Sequence, residues 1–130
     1  MNRISDWSDY YKITAKNPPS KLLVEAVSHV KNKNKALELG AGTNKDSKFL
    51  ISEGFQNITA IDKDIDSKNN FIELLENIDL EGKFGFQICS IEDFNFEDDS
   101  YDIVSAQRAM PFIANKNTLF EVMEKIKLSL

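Results

Sequence analysis

One cysteine and one histidine occur in this 130-residue chain. A lone Cys89 cannot close an internal disulfide, so a reducing compartment is the simplest home for it. A lone His29 excludes any metal site built on several histidines, and no metal is expected. Long apolar runs are missing too. No stretch approaches the roughly 18 residues that a membrane span requires, and the polar opening, residues 1–12, lacks the apolar middle of a signal peptide. Positive charge is in deficit: Lys and Arg number 16 against 21 Asp and Glu, a formal charge of −5. That balance argues against a surface made to gather nucleic-acid phosphates or anionic lipid. The expectation is a soluble, cytoplasmic protein without nucleic-acid or membrane partners, acting on a small molecule or on another protein.

What is present suffices for one core. With 42% hydrophobic residues, a chain of this length can bury one sizeable apolar interior but not two, which predicts a single domain. Residues 1–17 mix charges with Trp7, Tyr10 and Tyr11 and read as a docking arm or lid; 18–130 read as the domain proper. Pro18 and Pro19 open a segment in which Leu23, Ala26, Val27 and Val30 recur at helical spacing, with proline where a first turn tolerates it. Residues 36–39 are short and mostly apolar, as in a strand buried on both faces. A helix over 45–53 stops at Gly54. A β-branched strand over 57–61 ends at Asp62. A helix carrying Phe71, Leu74, Leu75 and Ile78 on one stripe follows, with Asp66 or Ser67 as its cap. Strands over 84–89 and 101–106 and a last helix bearing Leu119, Val122, Met123 and Ile126 complete the pattern.

Strands separated by helices imply right-handed crossovers and an α/β fold: a doubly wound parallel sheet with helices on both faces. Ligands bind such sheets beyond the carboxyl ends of the strands. The residues to examine are therefore 40–44, 62–64, 90–93, and 107–108.

Leu39-Gly40-Ala41-Gly42-Thr43-Asn44 puts two glycines between a strand and a helix, where absent Cβ atoms let backbone approach a ligand. A phosphate-binding P-loop would need Gly-Lys-Ser/Thr, and Gly42 is followed by Thr43 and Asn44 instead. A dinucleotide fingerprint wants a small residue at the sixth position, which counted from Gly40 is Lys45. Charge decides between the remaining ligands. Glu38 beside the turn would repel a pyrophosphate and attract an ammonium or sulfonium, and Asp62, Asp64, Glu92 and Asp93 add negative charge at the same sheet edge. Asp62 also occupies a strand tip from which a carboxylate can accept both hydroxyls of a ribose. A nucleoside carrying positive charge is the ligand this pattern asks for.

These residues resemble the class I S-adenosylmethionine-dependent methyltransferases, a Rossmann-like family. Glu38-Leu39-Gly40-Ala41-Gly42 is similar to the family's acidic-x-Gly-x-Gly loop, and Ile61-Asp62-Lys63 to the acidic end of its second strand. The run from Cys89 to Phe96 is similar to its adenine-contacting turn, and Ser100 to Ala106 to its fourth strand. The resemblance implies S-adenosylmethionine as cofactor, with Glu38 and the backbone of Gly40, Ala41 and Gly42 holding its methionine part. Asp62 would take the ribose hydroxyls and Lys63 would cover one adenine face. Ser90 and the Ile91 amide would meet the adenine edge, with Glu92 in the same turn, and Gln107 would lie near the sulfonium.

Two departures from the family pattern stand out. Its third glycine is Asn44 here, a residue that tolerates left-handed backbone, and its common Asp at the adenine turn is Ser90. The resemblance also implies strand order 3-2-1-4, with the family's C-terminal strands absent and strand four left as an edge open to self-association.

Methyl transfer from a sulfonium needs chiefly alignment of nucleophile, methyl carbon and sulfur. No general base stands out: His29 reads as a helix-surface residue and Cys89 as a buried, inert thiol. Two other readings stay open, a nucleoside-binding module without chemistry and a nicotinamide-dinucleotide oxidoreductase, the latter opposed by Lys45 and Glu38.

Overall fold

The computed structural model describes residues 18–78, 82–106 and 115–130. The aromatic arm, with Trp7, Tyr10 and Tyr11, lies outside them, as does the segment 107–114 that contains Gln107. In chain order the elements are α1 (Lys21–Ser28), β1 (Lys35–Leu39), α2 (Lys45–Ser52), β2 (Asn57–Asp62), α3 (Ile65–Glu76), β3 (Lys83–Ile88), β4 (Ile103–Ser105) and α4 (Lys116–Ser129). All four strands are parallel, in the order β3-β2-β1-β4, as the family resemblance implies.

Register assigns each side chain to a face. Ala36 and Glu38 of β1 align with Ile58 and Ala60 of β2, and Leu37 and Leu39 with Thr59 and Ile61; aligned residues share a face of the sheet. On one face Ala36, Ile58 and Ile103 pack against Leu23 and Val27 of α1 and Leu50 and Ile51 of α2. Ala60 meets Phe71 of α3. On the other, Leu37, Leu39 and Ile61 pack against Val122 of α4 together with Ile91, Phe94 and Tyr101. Central β1 is thus covered on both sides, which is why its residues 36–39 are all buried. Edge strand β3 alternates instead: Phe84 and Phe86 turn toward α3, the Phe86 ring centroid 5.5 Å from that of Phe71, while Lys83, Gly85 and Gln87 are exposed.

Three local expectations need correction. Pro18 and Pro19 precede α1 rather than occupying its first turn, because the helical bonds begin with the Val24 N–H donating to Ser20 O at 3.0 Å. The cap of α3 is Asp64, not Asp66 or Ser67; its carboxylate accepts from the Asp66 N–H at 2.9 Å, since the helix starts almost directly off the tip of β2. The fourth strand spans only Ile103–Ser105.

The short β4 is held by its approach. Asp102 accepts from the amides of Asn34 (3.2 Å) and Lys35 (2.8 Å) and donates its own N–H to Lys35 O at 2.8 Å. Amides of Ser100 and Tyr101 donate to Ser129 O, satisfying a carbonyl that the end of α4 leaves without a partner. Replacing Asp102 by alanine removes two charge-assisted bonds at an exposed site, and a loss of about 1 kcal/mol is expected in a urea unfolding midpoint, with the slope unchanged. No helix among the described residues is long and apolar enough to cross a membrane.

Candidate functional site

The turn after β1 is shaped by left-handed residues at three alternate positions, Gly40 (φ 71°), Gly42 (φ 55°) and Asn44 (φ 63°). Its first three amide hydrogens are committed to the protein. Both Gly40 and Ala41 donate to Ile61 O at 2.9 Å, and Gly42 donates to Asp62 Oδ2 at 3.0 Å. A phosphate cradle works by aiming such N–H groups at the anion, and here those three groups are turned into the strand ladder and onto a carboxylate. The loop therefore offers close approach and acceptor oxygens rather than an anion hole.

Glu38 is not a free carboxylate at the rim. Strand alternation sends its side chain to the face covered by α2, where it is 4% exposed and accepts a hydrogen bond from the Ser47 hydroxyl. Burial pushes its pKa up to about 8; the Ser47 bond opposes this, and the nearby carboxylates of Asp46 and Asp62 reinforce it. At neutral pH the folded, ligand-free protein thus carries Glu38 largely protonated. Across the sheet Glu38 pairs in register with Ser105, whose buried Oγ has no hydrogen-bond partner among the described residues.

Asp62, at the tip of β2, is half-buried. Its two oxygens accept from Gly42 N–H and, at 3.0 Å, from Asp64 N–H. An ionised carboxylate has about four acceptor positions, so further capacity remains. Next to it, Lys63 is exposed. The Cys89 amide donates to Asp62 O at 3.1 Å, bringing the chain after β3 alongside. There the Ser90 hydroxyl donates to Asp93 Oδ2 at 2.9 Å and accepts from the Asp93 amide at 3.3 Å, a closed turn that occupies Asp93. Ile91 is buried and Glu92 half-buried. Cys89 lies just past β3, half-buried rather than fully enclosed. Burial, with Asp93 nearby, raises its pKa, which leaves it a poor nucleophile. His29 is an exposed residue at the end of α1.

The tips of β1, β2 and β3 therefore bring Gly40, Ala41, Gly42, Asp62, Lys63, Ser90, Ile91 and Glu92 to one edge, while Glu38 sits beneath the loop. Ser47, Asp46 and Ser67 are polar residues that sequence reasoning passed over as parts of the site. All three are buried. Ser47 and Asp46 lie in the first turn of the helix after a glycine loop, a position from which side chains reach back under that loop.

The family profile described as tellurite resistance protein TehB matches residues 3–129. No curated protein sequence matches the chain. Among solved structures, one from Methanococcus maripaludis, described as an S-adenosyl-L-methionine-dependent methyltransferase, superposes with a TM-score of 0.77 at 12% identity, over 97% of this chain and 62% of its own. A Leishmania major S-adenosylmethionine-dependent methyltransferase gives 0.66 at 13% identity, over 100% of this chain and 61% of its own. CalS10, an amino pentose methyltransferase of Micromonospora echinaspora solved with S-adenosylmethionine bound, gives 0.60 at 12% identity, over 97% and 47%. At such identities the likeness establishes the fold. The chain spans between 47% and 62% of the length of these three structures.

Proposed function

Because this chain belongs to the TehB tellurite resistance protein family, we propose that it binds S-adenosylmethionine at the carboxyl ends of β1, β2 and β3 and transfers the methyl group to a small-molecule acceptor. The observation that carries this reading is the glycine loop whose Gly40, Ala41 and Gly42 amide hydrogens point into the protein, with the Asp62 carboxylate bonded to it. Acceptor-rich surroundings disfavour a polyphosphate and favour a nucleoside with positive charge. The donor set fits that group. Asp62 keeps acceptor capacity for two ribose hydroxyls. Glu38 meets the amino-acid end in its ionised form, with Ser47 holding its position. Lys63 covers an adenine face with its alkyl stem, and Ser90 and the Ile91 amide meet the adenine edge.

When bound, S-adenosylmethionine supplies a methyl group on a sulfonium that leaves as a neutral sulfide. The chain's own task is alignment: the loop and Asp62 hold the nucleoside so that an acceptor can approach in line.

Isothermal calorimetry with S-adenosylmethionine and S-adenosylhomocysteine is expected to give saturable binding. Gly42→Val should weaken it at least tenfold, because a β-branched residue is a steric outlier at φ 55°. Absence of heat with both ligands would defeat the proposal. Binding without methyl transfer to any acceptor would instead assign the chain as a nucleoside-binding module.

A further inference from the structure

Gly42 has the widest backbone freedom of any residue type, yet both peptide planes flanking its Cα are pinned. Its N–H donates to Asp62 Oδ2 at 3.0 Å. Its carbonyl accepts from Ser67 Oγ at 2.8 Å and from Asn44 Nδ2 at 3.3 Å. Asn44 Nδ2 also donates to Ser67 O at 2.9 Å, so three separate segments are tied together: the loop, the tip of β2 and the first turn of α3. Both clamping residues are buried, Ser67 at 0% exposure and Asn44 at 2%.

Their local positions explain why these side chains are available. A serine inside a helix can bond back to a carbonyl one turn earlier. Ser67 lies in the first turn of α3, Ile65–Glu76, with no earlier helical turn behind it, and its hydroxyl crosses to the loop. Asn44 precedes α2 in a left-handed conformation and makes no capping bond to that helix; its amide faces Gly42 and Ser67 instead. Among the described residues its Oδ1 has no partner, so the contacts of this side chain are those of its donor end.

We propose that Ser67 and Asn44 are positioning residues for the ribose-binding carboxylate. By fixing the Gly42 carbonyl they fix the loop's path, and through the Gly42 N–H they hold Asp62 in the orientation that meets a vicinal diol. This inference rests on the reading above that Asp62 accepts ribose hydroxyls. It assigns to the asparagine at the third-glycine position a task that glycine, lacking a side chain, cannot perform.

The test compares two ligands on the full chain by calorimetry: S-adenosylhomocysteine and its 2′,3′-dideoxy counterpart. A ribose diol on a charged acceptor should favour the hydroxylated ligand by about thirtyfold in the parent chain. In Ser67→Ala the ratio is expected to collapse to about threefold or less, with the dideoxy ligand bound as tightly as by the parent. Asn44→Gly keeps the left-handed backbone while removing the amide, and should lower the ratio in the same direction; it carries the test if Ser67→Ala fails to fold. Equal weakening of both ligands in both variants, with the ratio kept, would reduce the clamp to a purely structural role and overturn the inference while leaving the proposed function standing. Failure of the parent chain to bind S-adenosylhomocysteine would overturn both.

Discussion

Substituting alanine for Asp62 is expected to lower the affinity for S-adenosylhomocysteine by at least about a hundredfold, the largest effect of any single substitution in the site. Three consequences act together. The proposed ribose contacts disappear, and the hydroxyls that made them enter the site without an acceptor. The Gly42 and Asp64 amides, which donate to the two carboxylate oxygens at 3.0 Å each, lose their acceptor. Gly42 itself is then held only from its carbonyl side, through Ser67 and Asn44. Asp62→Asn separates these contributions. An amide oxygen can replace one acceptor for a backbone N–H, but its NH₂ faces the second donor, so an intermediate loss is expected. Stability should fall by about 1–3 kcal/mol in Asp62→Ala, the usual cost of leaving donors without partners. Binding by Asp62→Ala within about threefold of the parent would remove Asp62 from the cofactor site.

A strong pH dependence of stability is expected from Glu38. Its pKa in the folded protein is about 8 against an ordinary 4.5, so between those values the folded state holds a proton that the unfolded chain has released. Stability is then fully present below about pH 4.5 and declines as the pH rises toward 8. At roughly 1.4 kcal/mol per unit the whole window amounts to about 5 kcal/mol. Glu38→Gln keeps the shape without the ionisation. Its urea midpoint should be nearly constant from pH 5 to 8, and it should be clearly more stable than the parent at pH 8. A parent chain equally stable at pH 5 and pH 8 would mean that Glu38 is already ionised in the fold.

Ligand binding should run in the opposite direction. A bound ammonium or sulfonium favours the ionised form of Glu38, so affinity for S-adenosylmethionine should rise with pH up to about 8 and binding should release a proton. Calorimetry in two buffers of different ionisation heat measures that release directly. On that expected result the acidic residue beside the glycines would act less as a standing attractor of cations than as a group that becomes charged when one arrives.

Much of this architecture is legible along the chain because it depends on near neighbours. Alternating apolar segments, Gly54 closing a helix and Asp62 at a strand tip each follow from local sterics and periodicity, whereas the left-handed Asn44 is what the family's third-glycine position implies. The Cα partners that join β1 to β2 and β4, by contrast, come from distant parts of the chain, and the order of the four strands came from family likeness rather than from any pattern inside one segment.

What the sequence by itself determined was the inventory at the strand tips: two glycines, a carboxylate on each of two strands, and a serine turn after the third. The tertiary structure decided how those groups are deployed. Pairing of β1 with β2 turned the loop amides inward, and alternation placed Glu38 under α2 with its proton retained. The approach of α3 brought Ser67 onto the Gly42 carbonyl. Each of these depends on which strand or helix lies alongside, a matter of long-range packing and solvent exclusion that no window of neighbouring residues encodes.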